Sequence, residues 1–202
     1  MTLGAPEQNG VPNAGAVHGD VNLNEGGILQ VLGQGADASH DAIVNFNNTS
    51  LGQRGTFSLN GGTLQAIGGD LYASMDLNFQ KTNDTIFSTI DTNKHNIVLA
   101  GQLTGTGGFK KTSEGTLTLG ALATGNAANE GYLAGKGQNT YSGGTDIEQG
   151  QISGTAGSFG TGTINVQKNA NLDVDQETSV GTEAASLVML LCKLGLWWFM
   201  VI

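Results

Sequence analysis

The sequence predicts an all-β protein, a right-handed parallel β-helix in which successive coils stack into a solenoid. Three observations carry that prediction. Glycine supplies 33 of the 202 residues, against a usual share of about 7%. Short strands with period-2 alternation are divided by turns of Gly, Asn, Gln and Asp, residues that tolerate a positive φ or bond their own backbone. A strand–turn–strand unit also returns at intervals of about 20–35 residues, a period that belongs to solenoids.

The unit first reads VNLNEGGILQVL at 21–32 and recurs as TFSLNGGTLQAI at 56–67. It returns as STIDTNKHNIVLAG at 88–101, TDIEQGQISG at 145–154 and TINVQKNANLDV at 163–174. Between these copies lie DAIVNF at 41–46, MDLNF at 75–79, TIFSTI at 85–90 and GTLTLG at 115–120, each alternating apolar and polar residues. No stretch before residue 184 holds an apolar stripe of helical period, so no long helix is expected there. Many short strands also fit an antiparallel sandwich or barrel, but the returning unit favours stacked coils. In such a coil Leu117, Leu119, Ile147, Ile152, Ile164 and Val166 should point inward, because each alternates with polar neighbours. Asn and Thr are expected to form ladders at the corners.

Composition narrows function. The formal net charge is −9 and only 8 residues are Lys or Arg, with no basic run longer than Lys110–Lys111. Nucleic acid is therefore not an expected partner, since binding needs a basic stripe to displace phosphate counterions. An anionic membrane surface is disfavoured for the same reason. Cys192 is the single cysteine, which rules out a disulfide framework and a cysteine zinc site. The opening residues, 1–15, have no basic start and no apolar run, so they do not read as a signal peptide. The expectation is either a chain that stays inside or a piece of a longer precursor.

No catalytic, cofactor-binding or metal site is predicted, and no small-molecule substrate is recognised. The chain lacks G-x-S-x-G and G-D-S-G, the settings of hydrolase and protease serines. Tyr141-Ser142-Gly143-Gly144 reads as a turn of the repeat. His18, His40 and His95 lie apart in polar contexts, as surface histidines do. His40 beside Asp41 has no third ligand spaced to join it. GQGAD at 33–37 resembles one copy of a calcium-binding nonapeptide, but one copy without the rest builds no site. Asp173 and Asp175 would share a solvated strand face. Gly105-Thr106-Gly107-Gly108 lacks the third glycine and the following helix of a dinucleotide loop, and reads as a coil corner.

Residues 97–119, IVLAGQLTGTGGFKKTSEGTLTL, and 139–153, NTYSGGTDIEQGQIS, carry a family resemblance. Together they are similar to the autotransporter-associated β-strand repeat of Gram-negative autotransporter passengers. The matching positions are Gly101, Gly105, Gly107, Gly108, Lys111 and Gly115 to Leu119, then Asn139 to Thr145. With its flanks the resemblance covers roughly 86–174. The two blocks are nearly contiguous in the family, whereas 121–138 intervenes here and is expected to loop out. Glu114 and Gln149 replace positions that are more often Gly or Ala.

The resemblance implies an extracellular passenger stalk with a structural or adhesive, virulence-associated role, secreted or held at the bacterial surface. Host surface molecules are the partners it implies, and the parent would carry an outer-membrane β-barrel translocator. The alternative is the non-catalytic stalk of a secreted autotransporter serine protease whose catalytic domain precedes it. A third reading is a pseudogene product without a selected role. It is motivated by residues 187–202, LVMLLCKLGLWWFMVI, where composition changes abruptly. The β-helical fragment is thus expected over 1–186. The apolar tail 187–202 reads as a frameshift product, and otherwise as a short anchor or a terminal element. A helix of that length would span about 24 Å, short of the roughly 30 Å bilayer core.

Overall fold

The computed structural model describes residues 2–3, 20–43, 56–80, 87–120 and 139–175. The loop-out expected at 121–138, the tail 187–202 and His18 lie outside these residues.

The described chain winds through three parallel sheets. The first coil places β2 (Val21–Asn24), β3 (Ile28–Leu32) and β4 (Asp41–Ile43) on the first, second and third sheet in turn. The next coil repeats this order with β5 (Phe57–Asn60), β6 (Thr63–Ile67) and β7 (Leu71–Ala73). Then come β8 (Leu77–Phe79), β9 (Ser88–Asp91) and β10 (Ile97–Leu99), followed by β11 (Leu103–Thr104), β12 (Phe109–Thr112) and β13 (Thr116–Leu119). The last two coils contribute β14 (Thr145–Ile147) with β15 (Gly150–Thr155), and β16 (Ile164–Val166) with β17 (Ala170–Asp175). The short strand β1 (Thr2–Leu3) adds to the second sheet beside β3. Every pairing between these strands is parallel, so the fold is a parallel β-helix rather than an antiparallel sandwich. The helical content of the described residues is two 3-10 turns, Ala38–His40 and Ala156–Phe159.

Register explains why the alternation in the sequence works. In the third sheet Leu71 lies beside Ile97, Ile97 beside Leu117, Leu117 beside Ile152, and Ile152 beside Leu172. In the second, Leu64, Ile90, Lys111, Ile147 and Val166 form one inward column. Leu117, Leu119, Ile147, Ile152 and Ile164 are buried as predicted, and Val166 packs partly buried against the core. Each buried aliphatic side chain contributes about 1.5–3 kcal/mol, and a thin column draws this from few apolar residues per coil. Phe79 stacks on Phe109 with ring centroids 5.0 Å apart, and Tyr141 closes the group at 5.4 Å from Phe109 and 5.7 Å from Phe79. Such pairs add about 0.5–1.5 kcal/mol beyond their buried area.

The repeated unit resolves into two different corners. VNLNEGGILQVL and TFSLNGGTLQAI turn from the first sheet to the second, whereas the other three copies turn from the second to the third. Side chains that look alike in sequence therefore occupy different sides of the coil.

Candidate functional site

The residues that carry the repeat converge on the corner between the first and second sheets. There Gly107, Gly108, Gly143, Gly144 and Gly162 bring the backbones of successive coils into direct contact. A Cβ on Gly108 would come within 2.7 Å of the Gly143 carbonyl carbon and closer still to the Gly144 oxygen. A Cβ on Gly143 would meet the Gly107 and Gly108 backbone, and one on Gly162 would lie 2.6 Å from the Gly144 Cα. Backbone bonds tie the same corner: Ser142 N–H to Gly105 O at 3.1 Å, Gly143 N–H to Gly107 O at 3.0 Å and Phe109 N–H to Gly144 O at 3.1 Å.

Tyr141-Ser142-Gly143-Gly144 is thus a wall of the solenoid. Tyr141 is fully buried, and its hydroxyl is bonded to Thr145 Oγ1 at 2.7 Å. Burial raises its pKa, against the smaller opposing effect of that bond. Ser142 is exposed and faces outward. Two residues before Tyr141, Asn139 accepts the Leu103 N–H at 2.8 Å and donates to the Ser158 carbonyl at 2.7 Å. The two motif blocks, separated in sequence, therefore lie on consecutive coils.

The outer faces are polar and laddered. On the second sheet Gln30 donates to Gln65 at 2.8 Å, Gln65 donates to Asp91 at 2.6 Å, and Ser113 donates to the other Asp91 oxygen at 2.6 Å. Burial alone would raise the Asp91 pKa, but bonds from Ser113, Gln65, Asn93 and Thr112 outweigh it and lower it. At the corner before the third sheet, Asp70 accepts the Asn96 backbone N–H at 2.7 Å, and Asn96 Oδ1 accepts that of Thr116 at 3.1 Å. The sequence led us to expect ladders of Asn and Thr; here Asp70 and Asn96 supply the side chains, and Thr116 joins through its backbone N–H. Thr118 meets Ser153 at 3.1 Å and Gln151 donates to Asp173 at 3.2 Å. Lys110 and Glu148 form an exposed ion pair at 3.5 Å.

The remaining candidates take local roles. Asp37, the end of GQGAD, caps the Ala38–His40 turn by accepting Ser39 N–H at 2.9 Å. His40 Nδ1 lies 3.0 Å from both Asp37 Oδ1 and Ser39 Oγ, and Ser39 Oγ also donates to Asp37. One ring nitrogen faces both groups. A relay needs one nitrogen for the carboxylate and the other for the hydroxyl, so this trio is built as a turn. The Ser39 and His40 bonds hold the Asp37 carboxyl down at about 2. Asp41 accepts the Ser74 N–H at 3.2 Å, and burial raises its pKa. His95 closes its corner through N–H to Thr92 O at 2.8 Å. Asp173 stands exposed on β17, and Gly105 to Gly108 form a coil corner. Among the described residues no three His, Cys, Asp or Glu side chains gather as a metal site, and no helix is long and apolar enough to cross a membrane.

Two features escaped the sequence reading. The aromatic group of Phe79, Phe109 and Tyr141 joins residues from three coils, and nothing local announces it. Lys111 points inward and is fully buried, although it alternates with Lys110 as a strand residue should. The inward setting of Phe109, two residues earlier on the same strand, was the available signal. No protein-family model, no curated protein and no solved structure matches this chain.

Proposed function

We propose that the chain is part of an extracellular passenger stalk of a Gram-negative autotransporter, with a structural and adhesive role. The supporting observation is that residues 97–119 and 139–153 pack as consecutive coils with their repeat glycines in backbone contact. The family pattern thus coincides with the steric demands of this solenoid. The laddered polar outer faces support the same reading: a stiff rod whose side chains are tied from coil to coil presents a constant surface to host molecules. In this reading the parent chain supplies the outer-membrane barrel and the protein stands at the cell surface or is released from it. Antibodies raised against residues 20–175 test the proposal on intact source cells. Surface labelling that added protease removes is the expected result. Labelling that appears only after lysis, with the protein untouched by external protease, would refute it.

A further inference from the structure

The corner between the second and third sheets holds a buried charge. Lys111 is fully buried in an otherwise apolar inward column, between Ile90 and Ile147. Its ammonium donates to the carbonyl oxygen of Ser113 in its own corner. Directly against it lies Gly150, at the start of the next coil's β15. A Cβ there would lie 2.6 Å from the Gly115 oxygen, 2.7 Å from the Ser113 oxygen and closer still to Lys111 Nζ. Two carbonyl oxygens and the ammonium therefore converge on a place where the next coil has no side chain. Gly150 also holds φ +75, which L residues adopt at a cost.

We propose that Lys111 and Gly150 form a charge-and-shape lock between successive coils: the buried ammonium completes its corner only beneath a residue without a side chain. A coil offering any larger residue at this position would collide with the lysine head. The lock trades stability for this selectivity, because burying a cation is costly even when backbone oxygens receive it.

The charged groups on the surrounding elements are Asp91 on β9, Lys94 and His95 in the preceding corner, Glu114 in the same corner, and Asp146 and Glu148 in the next coil. Asp91 is the one whose charge acts to hold Lys111 protonated, and burial outweighs it, bringing the amine down to about 8 from 10.5. Between those values the unfolded chain keeps a proton that the folded chain has shed, so stability rises with pH. Tyr72 and Tyr141, whose pKa values are raised, act in the opposite sense above about pH 10. The useful window is therefore pH 8 to about 9.5.

The test measures melting temperature against pH for the whole chain and for Lys111→Met, which removes the amine while keeping most of the stem. The wild type is expected to gain melting temperature from pH 7.5 to 9.5, whereas Lys111→Met is flat across that window and melts higher at pH 7.5. Gly150→Ala supplies the second arm. Its loss of melting temperature should be smaller in the Lys111→Met background than in the wild type. If Gly150→Ala alone does not fold, its folding in that background reads the same coupling as rescue. A flat wild-type profile, a Lys111→Met chain that is unfolded or melts lower at pH 7.5, or equal losses from Gly150→Ala in both backgrounds each overturns the lock.

Discussion

Replacing Gly143 by Ala should damage the solenoid through sterics alone. Gly143 does not sit in the left-handed region, so the alanine meets no backbone penalty there. Its Cβ would instead lie 2.7 Å from the Gly107 oxygen and nearer still to Gly107 C and Gly108 N. Ordinary carbon contacts are about 3.5–4.0 Å, so the coils must part locally by about 1 Å. Parallel strands sit about 4.7–4.9 Å apart because their ladder bonds hold them there. The bonds Ser142 to Gly105, Gly143 to Gly107 and Phe109 to Gly144, now 3.0–3.1 Å, would stretch out of range. Three bonds at about 0.5–1.5 kcal/mol each give a loss of about 1.5–4.5 kcal/mol. For a chain of this size that lowers Tm by about 5–15 °C. Gly26→Ala is the matched control: no atom lies within 4 Å of its would-be Cβ, but its φ is +77. That change should cost about 1–2 kcal/mol through conformation alone. Thermal melting followed by far-ultraviolet circular dichroism compares the two. The reasoning is wrong if Gly143→Ala melts with the wild type, or if Gly26→Ala is the more damaging.

Other changes separate packing from hydrogen bonding. Phe109→Ala removes the central ring of the aromatic group and should cost about 3–5 kcal/mol in urea unfolding. Tyr141→Phe keeps the ring but leaves Thr145 without its partner, for a loss of about 1 kcal/mol. Asn139→Ala leaves the Leu103 N–H and the Ser158 carbonyl unpaired by that side chain, and should cost about 1–3 kcal/mol in the same assay. Asp91 has its pKa lowered in the fold, so its contribution is present above about pH 4 and is lost as pH falls through the lower folded value. Acid titration of the circular dichroism should show Asp91→Asn less stable than the wild type at pH 7, with the gap narrowing below pH 4.

The architecture was legible because it obeys a local rule. Leu117, Ile147 and Ile152 alternate with polar residues within a few positions, and the turn residues between them mark where each strand must end. The recurrence of short strand–turn–strand units, which favours stacked coils over a sandwich, was legible too. What the sequence hid is contact across coils. Ile97 to Leu117 is a step of one bare coil, whereas Leu117 to Ile152 crosses the intervening 121–138 segment, so a fixed period does not align them. For the same reason two kinds of corner passed for one repeated turn.

The glycines show how far a motif can be read physically. A glycine-rich turn is ambiguous in sequence, because a positive φ, a phosphate cradle and a close backbone approach ask for the same residue. Gly26 answers to the first demand and Gly143 to the last, though both sit in similar Gly-Gly pairs. Gly150 answers to two at once, a left-handed φ and the Lys111 head beneath it. Lys111 carries the same ambiguity: in sequence it is half of a surface-like lysine pair. The parity of the strand separates it from Lys110, which faces solvent and pairs with Glu148. Phe109 inward sets Lys110 outward and Lys111 inward again. A strict reading of alternation thus places a cation in the core, a cost the hydrophobic pattern alone would reject. The fold accepts it because the corner supplies a carbonyl oxygen and the next coil supplies a glycine.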